Sequence, residues 1–201
     1  MERIGYFFKS QFRIEEGLNE HENLTAQLHF GERQEVEAMD DVVQPVCAGL
    51  LLTKTGKIFR IQKTDKCAGK SAEKGKTLFY VGGHLDEIDK TDELMLTFAN
   101  GMKREISEEL LGGKPLTAGL VKSPFIVYRP DNAKSAKHFG VIFPVIFDEE
   151  FVPKFAKGEM KEKKSGFVSI EEVTRFTNLE SWSATVLPEV LKNFNTYIEN
   201  E

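Results

Sequence analysis

Between Val81 and Gly113 the chain reads V-G-G-H-L-D-E-I-D-K-T-D-E-L-M-L-T-F-A-N-G-M-K-R-E-I-S-E-E-L-L-G-G, and few folds accommodate it. A strand-like T-L-F-Y-V (77–81) delivers a Gly-Gly turn at Gly82-Gly83, and a long helical pattern follows. Each helical residue advances about 100° around the axis. With Ile106 at zero, Met95, Ala99, Met102 and Leu110 fall within about 40° of it and form a core stripe. Glu105, Glu108 and Glu109 fill an arc of about 100° beside that stripe. Three carboxylates so close repel one another unless a cation joins them. Oxygen-only ligands suit a hard ion, Mg²⁺ or Mn²⁺. Arg104 lies one turn before Glu108, in position for an i,i+4 pair. In most proteins a run such as K-R-E-I-S-E-E is a solvated helix face; the preceding glycines and the Arg–Glu spacing turn the reading towards a site.

The same residues resemble the Nudix box, G-x5-E-x7-R-E-U-x-E-E-x-G-U with U aliphatic. Gly83 matches the first glycine, and R-E-I-S-E-E matches from Arg104 to Glu109. The first family Glu falls on Asp89, and the seven-residue spacer is here fourteen residues, Lys90 to Lys103. The final Gly falls on Leu111. The string G-G-H with G-M-K-R-E-I also looks like a Nudix subgroup of predicted phosphoesterases. The resemblance implies an α/β/α sandwich with a mixed β-sheet. It also implies metal-dependent hydrolysis of a diphosphate linkage, chiefly in nucleoside diphosphate derivatives. By residue, it implies Glu105, Glu108, Glu109 and the Gly83 carbonyl as ligands of Mg²⁺ or Mn²⁺. Glu105 and Glu108, with Arg104 as orienting partner, would be catalytic; His84 and Asp89 would meet substrate. Such enzymes often take one more glutamate from a late loop; Glu149, Glu150, Glu159 and Glu162 are the acids in 148–164. A non-hydrolytic nucleotide-binding or sensor domain of the same fold stays open. So does a structural protein with an acidic helix. A Nudix-type isomerase of isoprenoid diphosphates would carry Cys where Gly83 stands.

The rest of the chain supplies the scaffold. V-C-A-G-L-L-L-T (46–53) and I-F-R-I-Q (58–62) form a hairpin around K-T-G-K. Residues 63–76 carry five lysines and no apolar period, a basic loop that is solvated or lends one lysine to a phosphate. Thr91 is expected to cap the long helix, and Gly112-Gly113 to end it. Gly101 either leaves room for the Gly82-Gly83 segment or ends a first helix inside the insertion. Residues 116–128 and 138–147 read as an antiparallel pair, with Pro124 and Pro144 marking a bulge or an edge. His138 opens the second strand as a structural residue. Ser169 caps a helix beginning near Ile170, and 182–198 is a closing helix that Pro188 kinks or divides.

Residues 1–44 read as an N-terminal extension packed on a domain spanning 45–201, its aromatics serving as packing or homodimer contacts. The net charge of −5 argues against general nucleic-acid binding and leaves a small-molecule diphosphate as partner. Cys47 and Cys67 form no C-x-x-C, and no apolar run reaches membrane-spanning length. The expected setting is cytoplasmic.

Overall fold

The longest apolar run of the sequence becomes the spine of the sheet. In the computed structural model, which describes residues 2–63, 75–117, 119–156 and 162–199, that run is the twelve-residue strand Val42–Thr53 (β4). Before it come Arg3–Phe8 (β1), Gly17–Glu20 (β2), His29–Glu32 (β3) and the short helix Arg33–Ala38 (α1). After it come Lys57–Gln62 (β5), Thr77–Leu78 (β6), Val81–His84 (β7) and the long helix Leu94–Leu110 (α2). Leu120–Val121 (β8), Phe125–Tyr128 (β9), His138–Phe147 (β10) and Gly166–Ser169 (β11) complete the strands. Ile170–Val173 (α3), Ser181–Lys192 (α4) and Phe194–Glu199 (α5) are the remaining helices.

One edge of β4 pairs in parallel with β10 over its whole length, from His138↔Gln44 to Phe147↔Thr53. Its other edge meets three antiparallel partners in turn: β1 at Val42–Val43, β7 at Val46–Gly49 and β5 at Leu52–Thr53. The central order is β11-β5-β4-β10-β9-β2, a mixed sheet. Side chains on a strand alternate between faces. Gly49 turns towards Ile106 and Met102 of α2, whereas Gly140, paired with Val46, turns towards Trp182 of α4. The two helices therefore cover opposite faces, the expected α/β/α layering. Among the described residues no helix is long and apolar enough to cross a membrane.

The boundary expected at 44/45 falls inside β4, and the N-terminal residues belong to the sheet: β2 pairs with β9, and β1 with β4 and β3. β1 also runs beside the start of the box, where the Gly5 N–H donates to Leu85 O at 2.9 Å and Arg3 pairs with Glu87 at 2.7 Å. Phe7 packs on Phe98 of α2, both fully buried. This contact widens the buried face of α2. Its N-terminal half buries Thr97 and Phe98 as well, Phe98 against Phe7 of β1 and Thr97 against Thr91, whose N–H donates to the Thr97 hydroxyl at 2.9 Å.

Several expectations change in detail. The helix begins at Leu94, not at Thr91, whose hydroxyl instead donates to Glu93 O at 2.9 Å. It is one continuous helix, and the space at Gly101 admits Leu85, Asp89 and Cys47, not Gly82-Gly83. Gly112 and Gly113 end it with φ of 61° and 80°. The expected strand 116–128 is two pieces, β8 and β9, separated at Pro124. Pro144 lies inside the central β10, with its carbonyl accepting from Lys122 N at 2.9 Å. A strand residue's N and C=O point the same way, so the missing N–H falls where β9 gives way to β8, and no ladder bond is lost. The hairpin forms as expected, and Ser169 starts α3 with a capping box to Glu172. The C-terminal helix breaks at Asn193, not at Pro188.

Candidate active site

Gly82 and Gly83 do not turn the chain. Both lie within β7, and neither has a positive φ. They are required by close approach. A Cβ on Gly82 would lie 2.1 Å from Cys47 O, and one on Gly83 would lie 2.5 Å from Glu105 Oε2. The strand is thus pressed against β4 on one side, and the Glu105 carboxylate rests against its backbone.

Arg104 is the hub of the site. Its Nε donates to Asp89 Oδ1 at 3.1 Å and its Nη2 to Asp89 Oδ2 at 3.0 Å. Nη2 also reaches His84 O at 2.9 Å, and Nη1 reaches Glu105 Oε1 at 2.7 Å and Glu108 Oε2 at 3.4 Å. Burial opposes its charge, but the hydrogen bond to Asp89 and the Glu105 carboxylate outweigh that and raise its pKa. Asp89 is 4% exposed and closes the short turn Glu87–Asp89, accepting also from Asp86 N at 3.0 Å. Burial raises the Glu105 pKa against the pull of Arg104. Glu108 stands outward, 58% exposed. The C-terminal end of α2 is held by the following loop, with Lys154 N donating to Leu110 O at 2.7 Å and Ala156 N to Glu109 O at 3.0 Å.

Beside this cluster lies a cleft of about 330 Å³ on the α4 side of the sheet. Glu105 and Glu109 reach it round the edge strand β7, beside Gly83. Lys63, 7% exposed, and Arg33 bring positive charge. His84 and His138, on neighbouring positions of the same sheet face, have their Nε2 atoms 3.4 Å apart. Burial, then each other's proximity, lowers His84 to about 3; burial also lowers His138. Tyr80, Glu180 and Trp182 form a further wall. Glu180 is 7% exposed and accepts from Trp182 N, Ser183 N and Tyr80 OH at 2.9, 3.2 and 3.0 Å. Burial raises its pKa against those donors.

No family model matches the chain, and no curated protein does. Solved structures do. Tm1382, a presumptive Nudix hydrolase, is 20% identical with a TM-score of 0.66, over 95% of this chain and 99% of that one. A Nudix hydrolase from Alicyclobacillus acidocaldarius is 13% identical, TM-score 0.52, over 77% and 93%. The chain has the Nudix fold. A third likeness is to a bifunctional NMN adenylyltransferase/ADP ribose pyrophosphatase from Francisella tularensis, complexed with AMP and a Mn ion. It is 16% identical with a TM-score of 0.53, and this chain spans 44% of its length.

On the Nudix fold, the box residues Gly83, Glu105 and Glu109 line the cleft, and Arg104 ties Glu105 to the outward Glu108. Asp89, expected at substrate, is instead sealed beneath Arg104, because the one-methylene-shorter acid is held by the turn that β1 supports. The two extra turns of spacer are the first turns of α2 itself and leave the carboxylate end in phase. Among the four late acids, Glu150 pairs with Lys57, Glu149 lines a different groove, and Glu162 sits in an exposed turn; Glu159 lies outside the described residues. The late acid at the cleft is Glu180, which no spacing in the sequence singled out. His138, expected as structural, lines the cleft against His84. Of the basic loop, Lys63 lines the cleft, while 64–74, with Cys67, lie outside the described residues. Among the described residues no three His, Cys, Asp or Glu groups already converge as a closed metal cage.

Proposed function

We propose that this protein is a metal-dependent hydrolase of a diphosphate linkage, acting on a small-molecule nucleoside diphosphate joined to a second group. One observation carries the reading. A single guanidinium, 18% exposed, ties Asp89, Glu105, Glu108 and the His84 carbonyl together, and Glu105 and His84 line the cleft. The R-E-x-x-E-E pattern is therefore assembled as one unit and not scattered over a solvated face.

The donor set fits a hard divalent ion: carboxylate oxygens of Glu105, Glu108 and Glu109, and the Gly83 carbonyl, with Glu105 set against that strand. Mg²⁺ or Mn²⁺ held there would neutralise the diphosphate and lower the pKa of bound water. The protein's own residues do the rest. Arg104 fixes the Glu105 carboxylate, and burial raises that group's pKa. Glu105 takes the proton as water's oxygen bonds phosphorus. The bridging P–O bond breaks, and the leaving phosphate carries the electron pair. Lys63 places positive charge on the cleft wall, which would draw phosphate oxygens.

The test is a Mg²⁺-dependent screen of nucleotide sugars, dinucleoside polyphosphates, nucleoside triphosphates and ADP-ribose. Glu108→Gln should cut turnover at least a hundredfold with an unchanged melting temperature, since Glu108 is exposed. Unchanged turnover in that variant removes the box from the chemistry. Nucleotide binding without turnover in the wild type makes the protein a binding domain.

A further inference from the structure

The paired imidazoles have a definite hydrogen-bond polarity. His138 Nδ1 lies 2.8 Å from Lys134 O. A carbonyl only accepts, so Nδ1 carries the proton, and the neutral ring's Nε2 is left as an acceptor. That acceptor faces His84 Nε2 at 3.4 Å, so His84 donates from Nε2, and its own Nδ1 holds a bare lone pair. Among the described residues none hydrogen-bonds that Nδ1, and His84 lines the cleft. Ionised phosphate oxygens are acceptors as well, and two acceptors repel. The wall formed by His84 is therefore unsuited to the diphosphate and suited to a donor.

We propose that His84 Nδ1 accepts a hydrogen bond from a hydroxyl or N–H on the part of the substrate beyond the diphosphate, and that His138 is the positioning residue that fixes the required tautomer. Naming the ligand as a diphosphate compound rests on the hydrolase reading above; the polarity of the pair does not. The carboxylates of α2 take the phosphate end, and the β10 end of the cleft reads the attached group.

The experiment has two parts. Nitrogen-15 histidine correlation spectra of the full chain at neutral pH should show His84 protonated on Nε2 and bare on Nδ1, with His138 the reverse. His138→Leu should mix the His84 tautomers, and His138→Gln, whose amide oxygen can accept, should restore them. Calorimetry then compares Mg²⁺ with ADP-ribose, rich in hydroxyl donors, and Mg²⁺ with inorganic pyrophosphate, which has none. His84→Phe should weaken ADP-ribose about tenfold relative to pyrophosphate, the worth of one hydrogen bond. A wild-type His84 protonated on Nδ1 overturns the inference, as does an equal loss for both probes, or wild-type binding of pyrophosphate alone. Binding of neither probe by the wild type also overturns the inference and leaves the hydrolase reading to the substrate screen.

Discussion

Gly82 and Gly83 are adjacent, share one backbone conformation, and should fail in opposite ways when given a methyl group. On Gly83→Ala the three atoms nearest the new Cβ all belong to the Glu105 carboxylate, at 2.5 Å from Oε2 and 2.7 Å from Cδ and Oε1. To reach ordinary contact the carboxylate must retreat by roughly 0.9 Å. It sits at the end of a side chain, so it can. The movement strains the 2.7 Å bond from Arg104 and takes Glu105 off its place beside the Gly83 carbonyl. The lost entropy of the unfolded chain returns about 0.4–1 kcal/mol, so net stability should change by no more than about 1 kcal/mol. A misplacement near 1 Å at a reacting centre costs about a hundredfold in kcat/KM. On Gly82→Ala the Cβ meets backbone, Cys47 O at 2.1 Å and Ala48 Cα at 2.5 Å. Neither atom can retreat without parting β7 from β4, so stability should fall by about 3 kcal/mol or more. The assay is urea melts of both variants beside Mg²⁺-dependent turnover of the best substrate from the screen. A Gly83→Ala protein that keeps full kcat/KM, or one destabilised as much as Gly82→Ala, refutes the reasoning.

Asp89→Asn should cost about 3 kcal/mol in urea melts, because it leaves Arg104 facing an amide at a position only 4% exposed; its loss of kcat/KM should stay well below that of Glu108→Gln. An unaltered melt would show that Arg104 does not depend on Asp89. Glu180→Ala removes the cap of α4 and the partner of Tyr80 and should lower stability by about 2–3 kcal/mol. Glu180→Gln, which keeps an acceptor, should recover most of that in a thermal melt; equal losses would trace the effect to the carboxylate charge.

What could be read from the sequence is what neighbouring residues decide. The hairpin of β4 and β5, the Gly112-Gly113 helix end and the Ser169 cap each depend on a few consecutive side chains, and each stands where periodicity and capping place it. The carboxylate end of α2 was legible for the same reason. The missed parts depend on distant partners. Glu180 becomes a cleft residue only because Tyr80, a hundred positions earlier, reaches it. His138 gains its place through His84, and β2 is a sheet strand only because β9 lies beside it. The glycines of β7 were legible as a feature but not as a cause: a turn and a close approach both require glycine, and only the location of Glu105 and Cys47 tells them apart.

The contact between Phe7 and Phe98 joins two stretches that look like separate additions, a longer beginning to the chain and a longer spacer in the box. Each buries part of the other's aromatic surface, with Phe139 packed on Phe7 as well. Added alone, the extra turns of α2 would present an oily ridge to water; added alone, β1 would have no ridge to lie on. The two lengths are therefore one trait. A relative that lacks one should lack both, and a trimmed version of this protein should keep both or shed them together.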